Sequence, residues 1–366
     1  MKHLTLFETT AAYNAATLDL PNVSLVEENM SVSFKPYVTT QETRVVAKYY
    51  VENESNTITL FNNQGGSGSG SGSGSLFLSM EVDGVKLSEI VNEYTFSTTG
   101  EHTVKYTLGD PTSIGYNAFS GCNNLTSIVI PDSVTSIGQD AFRYCYNLTS
   151  ITIPNNITSI GDYAFGSCTG LASIDIPDSV TSIGGGAFDG CSGLTNVTIG
   201  NNVTSIDYGA FYNCTSLTSI IIPNSVTSIG DMAFNDCSGL TSITIPDSVT
   251  SIGNQAFAGC SSLTSVTIGN SVTRIGDYAF NGCSGLTNIT IGSSVTTIDY
   301  NAFYNCSGLT NITSLATTAP AIKDNTFMNI KTGGTLTVPI GSTGYDAWVD
   351  DGNYYLGKYN WTKVEQ

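Results

Sequence analysis

The residues best able to do chemistry in this chain are nine cysteines: Cys122, Cys145, Cys168, Cys191, Cys214, Cys237, Cys260, Cys283 and Cys306. Each follows the last by 23 residues. None falls in a C-x-x-C pair, the spacing used by zinc and dithiol redox sites. Both histidines, His3 and His102, precede them, and residues 111–322 hold no His, Lys or Glu and only Arg143 and Arg274 as bases. A Ser–His–Asp or Cys–His site is therefore impossible in that stretch. Paired aspartates could do acid–base work only in a dry cleft, and most sit in turn sequences such as Pro131-Asp132-Ser133, where Asp is an ordinary solvated residue. The cysteines read instead as small buried hydrophobes in a ladder. They should be unpaired, because nine is odd and parallel side chains aim poorly at one another. No catalytic residue, metal or cofactor is expected.

A second set could bind. Tyr163, Tyr208, Tyr278 and Tyr300 flank an Ala-Phe pair, and Tyr144, Tyr212 and Tyr304 lie just beyond it. Tyr among Asn, Asp and Ser is a binding-surface mixture, since Tyr offers contact area at low entropy cost; scattered single tyrosines are also ordinary surface. Tyr208/Tyr212 and Tyr300/Tyr304 are four apart and share a side if that turn is helical. They lie in near-duplicate blocks, 178–214 and 270–306, which should present two similar patches to a repetitive ligand. Thr152, Thr198, Thr244, Thr267 and Thr290 form an outward row like the flat Thr ladders that bind ice. Asp175 and Ile221 interrupt it, and solvated Thr is ordinary on strands.

The elements that must position these residues follow the same step. Ile114 to Ile298, Phe119 to Phe303 and Leu125 to Leu309 form rows of period 23. A fixed period of this size means stacked supersecondary units sharing one core. Leu125, Ile128 and Ile130 give a short strand ended by Pro131, and Val134 and Ile137 give a second extended segment. Ala118, Phe119 and Cys122 are spaced for one face of a helical turn. A degenerate tenth unit puts Ile322, Phe327 and Ile330 in the Ile, Phe and Cys places. At about 4.8 Å per coil, nine coils make a body on the order of 40 Å long.

The unit S-V-T-S-I-G-x-x-A-F-x-x-C-x-x-L-T-S-I-x-I-P, as in SVTSIGDMAFNDCSGLTSITIP, resembles the BspA-like leucine-rich repeats of bacterial surface proteins and some protist proteins. The likeness covers residues 111 to about 330. It implies a mainly β chain built on a right-handed leucine-rich-repeat solenoid and a role as adhesin or binding scaffold, with no catalytic residues to carry over.

The flanks differ in texture. Residues 1–20 read as an N-terminal segment. Residues 21–108 carry strand-like runs such as VSLVEE, TRVVAKYYVE and LFLSMEVDG. Their closing YTFSTTGEHTVKYTL reads as a hairpin turning near Gly100 and resembles the last two strands of immunoglobulin-like domains, so a small β-sandwich is expected. Within it, GGSGSGSGSGS (65–75) is a flexible loop. The repeats occupy 109–330. Residues 331–366 read as a cap that covers the last coil with Tyr345, Trp348, Tyr359 and Trp361; this segment also resembles the C-terminal part of Bacteroides BspA-like proteins. FETTAAYNAA, LPNVSLVEEN and VSFKPY resemble the leaders of proteins from gut Bacteroides and their phages, virion proteins included.

Charge narrows the partners. With 12 Lys+Arg against 30 Asp+Glu, the net charge is −18. Nothing basic is gathered to neutralise phosphates, and an anionic membrane surface is equally unfavourable. No run approaches the ~18 apolar residues of a membrane span, and MKHLTLFETTAAYNAA lacks the apolar core of a secretory signal. The expectation is an extracellular, non-enzymatic binding protein, on a virion or a cell surface. It would recognise a surface protein or glycan and join other virion proteins through its N-terminal domain; a bacterial adhesin and a purely structural virion spacer are the alternatives.

Overall fold

In the computed structural model, residues 44–62, 77–350 and 355–366 are described. Three sequence expectations lie outside them in whole or part: the leader 1–20, the strands expected in 21–43, and the Gly/Ser loop 65–75.

Each 23-residue unit makes one coil with two short strands. The Ser-Ile pairs and their equivalents, Ser113–Ile114 through Ala321–Ile322, form one unbroken parallel sheet of ten strands. Equivalent residues sit side by side: Ile137 lies between Ile114 and Ile160, and Ser136 between Ser113 and Ser159. A period in sequence thus becomes a register in space, and the isoleucines pack inward while their neighbours face out. The Thr before each pair adds a ladder of its own. Its hydroxyl donates to the carbonyl of the equivalent Thr one coil earlier, Thr158 to Thr135 and Thr181 to Thr158, at 3.2 and 3.3 Å.

The other strand of each coil, beginning with Leu125–Val129, also stacks in parallel and in register. This second ladder is not continuous. It separates between Ser150–Thr152 and Ser173–Asp175, and again between Ser219–Ile220 and Ser242–Ile245. The interrupted Thr row runs along its outer face.

The Ala-Phe-x-x-Cys segment is not the helical turn that its spacing suggests. It is a run of tight turns with two left-handed residues per coil, one at Asn117, Asp140, Tyr163, Gly186 and Gly209, the other at Gly121, Tyr144, Ser167, Gly190 and Asn213, repeating through the array. The reversed residues turn alternate N–H groups toward the next coil. Phe119 N–H donates to Ala141 O at 2.7 Å, whereas Cys122 N–H donates back to Phe119 O at 3.1 Å. A helix would spend these donors within its own coil.

This geometry delivers the core. Phe119, Phe142 and their successors to Phe327 stack nearly parallel, with centroids 5.2–5.5 Å apart and planes within 9°. All nine cysteines are free and buried. From Cys145 onward each thiol donates to the Phe carbonyl 26 residues earlier, as Cys214 does to Phe188 O at 3.2 Å. Burial pushes the Cys145 and Cys191 thiols up to about 12, so neither is a thiolate at neutral pH.

Both ends of the stack are closed by aromatic groups. At the C-terminal end Trp348 meets Phe327 at 5.5 Å, Tyr345 and Trp361 are buried, and the Tyr359 hydroxyl accepts from Asn329 N–H at 2.8 Å. The strands Thr335–Val338 and Thr362–Glu365 continue the second ladder in parallel. The final strand carries Lys363 and Glu365, and charge on an edge discourages further pairing.

At the N-terminal end the expected division at 108/109 is crossed by a sheet. Strand Arg44–Val51 pairs antiparallel with Gly100–Leu108 on one side and with Leu125–Val129 of the first coil on the other. Residues 44–366 accordingly form one compact unit. Tyr49 and Tyr106 both bond to Leu60 O and to each other, and the Tyr106 ring meets Phe119 at 5.5 Å. The hairpin expected near Gly100 is not made. Glu93–Thr95 pairs instead with Thr57–Thr59, and Gly100, at φ +106°, turns the chain into the larger sheet. A left-handed glycine at that point redirects the strand where an ordinary residue would continue it.

Candidate functional site

The seven sequence-selected tyrosines all fall on or beside the left-handed turns, but they do not form one patch. The structure gathers Tyr163, Tyr208 and Tyr212 around a recess of about 210 Å³, with Gly186, Gly209, Asp189 and Met232. The recess has a sequence cause. Residues 184–186 are Gly-Gly-Gly, the one coil in which this stretch carries no side chain at all. Tyr163 leans in from the coil before, so closely that a Cβ on Gly186 would collide with its ring. Tyr208 and Tyr212 stand on the coil after, with the Tyr208 hydroxyl 3.3 Å from Met232 Sδ.

Tyr163 is fixed from its other side. The Arg143 guanidinium lies 4.5 Å from the Tyr163 ring centre and 4.8 Å from that of Tyr144, and is held by Asp140 at 3.0 Å. A cation over a ring face is attractive by about 0.5–1 kcal/mol at an exposed site. In the sequence Arg143 stands out only as one of two bases; its role in ordering two tyrosines becomes visible in the stacked coils. Asp189 was missed altogether. Its carboxyl is half-buried beside the recess, and burial lifts it above its ordinary range, while Arg143 pulls it back down.

The duplicated block does not repeat this arrangement. Tyr300 and Tyr304 correspond to Tyr208 and Tyr212, but Tyr278 stands in place of Gly186, Asn301 in place of Gly209 and Asn281 in place of Asp189. Tyr208, Tyr278 and Tyr300 are all exposed, so the blocks differ not in tyrosine exposure but in the residues at Gly186, Gly209 and Asp189. Two equal patches are therefore not present. Tyr146, which sequence reading passed over, joins Tyr144 at 6.1 Å and is exposed.

A second concave region follows the interrupted strand ladder. Hollows of about 430 and 650 Å³ lie over its two breaks, and Ile221, 82% exposed, stands in the larger. The Thr row is thus a broken surface with an apolar residue at its middle, not the flat array that an ice plane requires.

His102 pairs with Asp83, Nδ1 to Oδ2 at 2.7 Å, but its Nε2 is 3.0 Å from Thr98 O. Both ring nitrogens are thereby committed to holding the Gly100 corner. Among the described residues, no group of three or more His, Cys, Asp or Glu is placed to hold a metal ion. Among them too, no helix is long and apolar enough to cross a membrane.

Comparison with known proteins bears on the repeats. The model of the BspA type leucine-rich repeat region matches residues 112–241 and 204–333. No curated protein matches the chain. Among solved structures, the chain is similar to the Treponema pallidum leucine-rich repeat protein at 28% identity, covering 50% of this chain and 83% of that one, with a TM-score of 0.40. It is similar to a leucine-rich cell surface protein of Faecalibacterium prausnitzii at 27%, covering 71% and 83%, TM-score 0.37. A leucine-rich repeat protein of Bacteroides ovatus aligns at 25% identity over 74% and 90%, TM-score 0.35. The 23-residue coils, their Phe and Cys ladders and the family match over more than half the sequence lead to one assignment: the chain belongs to the BspA-type leucine-rich repeat family.

Proposed function

We propose that this protein is a non-enzymatic binding protein acting outside the cell, which presents the tyrosine-bearing side of its solenoid to a protein or glycan on a bacterial surface. The observation that carries this reading is the recess at Gly186, where three tyrosines, a methionine and a carboxylate converge on a rigid ladder. Rigid aromatic groups with a few polar atoms suit recognition, because little entropy is lost on contact. Family membership supports the same role, as BspA-like repeats are scaffolds for adhesion. The array's lack of His, Lys and Glu favours binding over turnover.

The finer reading is a phage virion component, a tail or head fibre or decoration, joined to other virion proteins through the N-terminal region. Its support is the likeness of FETTAAYNAA and LPNVSLVEEN to the leaders of proteins from gut Bacteroides and their phages, virion proteins included. Mass spectrometry of purified particles and of host envelopes separates a virion part from a bacterial adhesin. The binding role is tested by mixing pure protein with bacterial cell envelopes and surface polysaccharides, with and without divalent metal. Retention without release of reducing ends is expected. Reproducible release by pure protein would make it an enzyme, and no retention on any envelope would reduce the solenoid to a spacer.

A further inference from the structure

Along one edge of the solenoid, side chains tie coils together at four steps. The carboxylate or amide at one position accepts from the backbone N–H of the equivalent residue a coil later: Asp162 Oδ1 from Gly185, Asp231 Oδ1 from Asn254, Asn254 Oδ1 from Asp277 and Asp277 Oδ1 from Tyr300. The ladder lacks its rung at Gly185, which has no side chain to offer, and lacks one also after Tyr116, Gln139 and Tyr208. Among the described residues nothing accepts from the Tyr208 N–H beside Gly185. Of these open N–H groups, that of Tyr208 belongs to a residue lining the recess, which Asp189, Tyr163 and Tyr212 also line.

From this geometry we infer that the recess is a subsite for one ring of a neutral saccharide. The inference rests on the binding role proposed above and names the ligand class of that same site. A sugar hydroxyl both donates and accepts. Asp189 can take a hydroxyl proton in a hydrogen bond, and the Tyr208 N–H can give one to a hydroxyl oxygen. The Tyr212 and Tyr208 side chains supply the apolar contact that C–H faces of a pyranose need. An anionic group is disfavoured, because the nearby cation, Arg143, is already committed to Asp140 and to two tyrosine rings. A quaternary ammonium group, which aromatic cages also hold, would meet that same cation 4.5 Å behind Tyr163 and would leave the Tyr208 N–H unanswered.

The chain contains its own control. At the duplicated site Asp277 caps the Tyr300 N–H at 3.1 Å, Tyr278 fills the Gly186 position and Asn281 replaces Asp189. Gly185→Asp and Asp189→Asn therefore give the first block features that the second already tolerates. Gly185 is outside the left-handed region, and a Cβ there would lie 3.3 Å from Tyr208 O, a shift of tenths of an ångström.

The test uses the full chain and saturation-transfer NMR titrations with the methyl glycosides of glucose, galactose, mannose and N-acetylglucosamine, and with tetramethylammonium. Wild type should bind at least one glycoside, and each of G185D and D189N should weaken it by about tenfold or more, the scale of one hydrogen bond. Circular dichroism should be unchanged, and G185D should melt no lower than wild type. Absence of glycoside binding, undiminished binding by both folded variants, or preference for tetramethylammonium would each overturn the subsite. Envelope retention of the same variants separates this from the broader reading: if wild type and both variants adhere equally, surface binding stands and the saccharide subsite falls.

Discussion

The phenylalanine stack makes a quantitative claim about how stability is distributed. Phe188, Phe211 and Phe257 are each fully buried. Phe188 and Phe211 are direct neighbours at 5.3 Å and 6°, whereas Phe257 lies two coils beyond Phe211. Phe→Ala at any of them should cost about 3–5 kcal/mol, through lost transfer energy and the cavity left behind. Phe→Leu keeps most of the volume, so its loss is smaller and the fold is safer for a cycle. An aromatic pair contributes about 0.5–1.5 kcal/mol beyond its buried area. The double variant Phe188→Leu/Phe211→Leu should therefore cost less than its two single variants summed, by about that amount. Phe188→Leu/Phe257→Leu shares no contact and should be additive within about 0.5 kcal/mol. Urea unfolding followed by circular dichroism measures all of these. The slope must stay constant across the set, because a solenoid can lose cooperativity between its coils. Additivity in the neighbouring pair, or equal coupling in the distant pair, would refute the stack as a chain of nearest-neighbour contacts.

Other outcomes follow from the same ladders. Thiol titration of unreduced, denatured protein should find nearly nine thiols, while labelling of native protein at pH 8 should be slow, since burial holds Cys145 and Cys191 far above that pH; four disulfides would sink the ladder. Cys214→Ala should lose about 1–2 kcal/mol in denaturant, because Phe188 O keeps the Cys191 N–H at 3.2 Å, whereas Cys214→Asp should prevent folding by burying a charge; a tolerated Asp would place the residue at the surface. Burial raises the Asp189 carboxyl, so the fold favours its neutral form: this contribution is fullest below the unfolded value of about 3.9 and declines as pH rises through the folded one. Asp189→Asn should thus be more stable than wild type at pH 7, with the gap closing toward pH 3.5, even as binding falls; a gap that widens at low pH would show the opposite shift.

The sequence made the coils legible because identical side chains at a fixed step can be satisfied together only by stacking. Cys122 to Cys306 and Ile114 to Ile298 needed no further information. The turn between them was misread because Ala-Phe-x-x-Cys has helical spacing. The Asn, Asp, Ser and Gly residues common at the positions of Asn117 and Gly121 were the missed signal, since these tolerate left-handed backbone. The pairing of Arg44–Val51 with the first coil was not legible, because long-range strand partners leave no local mark. The tyrosines could be picked out one by one, but the site they form depends on what is absent. Gly184–Gly186 was visible in the sequence, yet its consequence, a hollow with an uncapped N–H beside it, exists only once neighbouring coils supply the walls. The duplication misled for the same reason: the two blocks share their tyrosines and differ at Gly185, Gly186 and Asp189.

The most direct test of the recognition surface compares the two tyrosine pairs in one assay. Tyr208→Ser/Tyr212→Ser and Tyr300→Ser/Tyr304→Ser remove the same groups from duplicated coils, so their effects on folding should match and circular dichroism can confirm it. Retention on bacterial envelopes is then measured for wild type and both variants. Loss of retention with the Tyr208/Tyr212 pair, and near-wild-type retention with the Tyr300/Tyr304 pair, is expected if the recess recognises the surface. Undiminished retention by the folded Tyr208→Ser/Tyr212→Ser variant would contradict it.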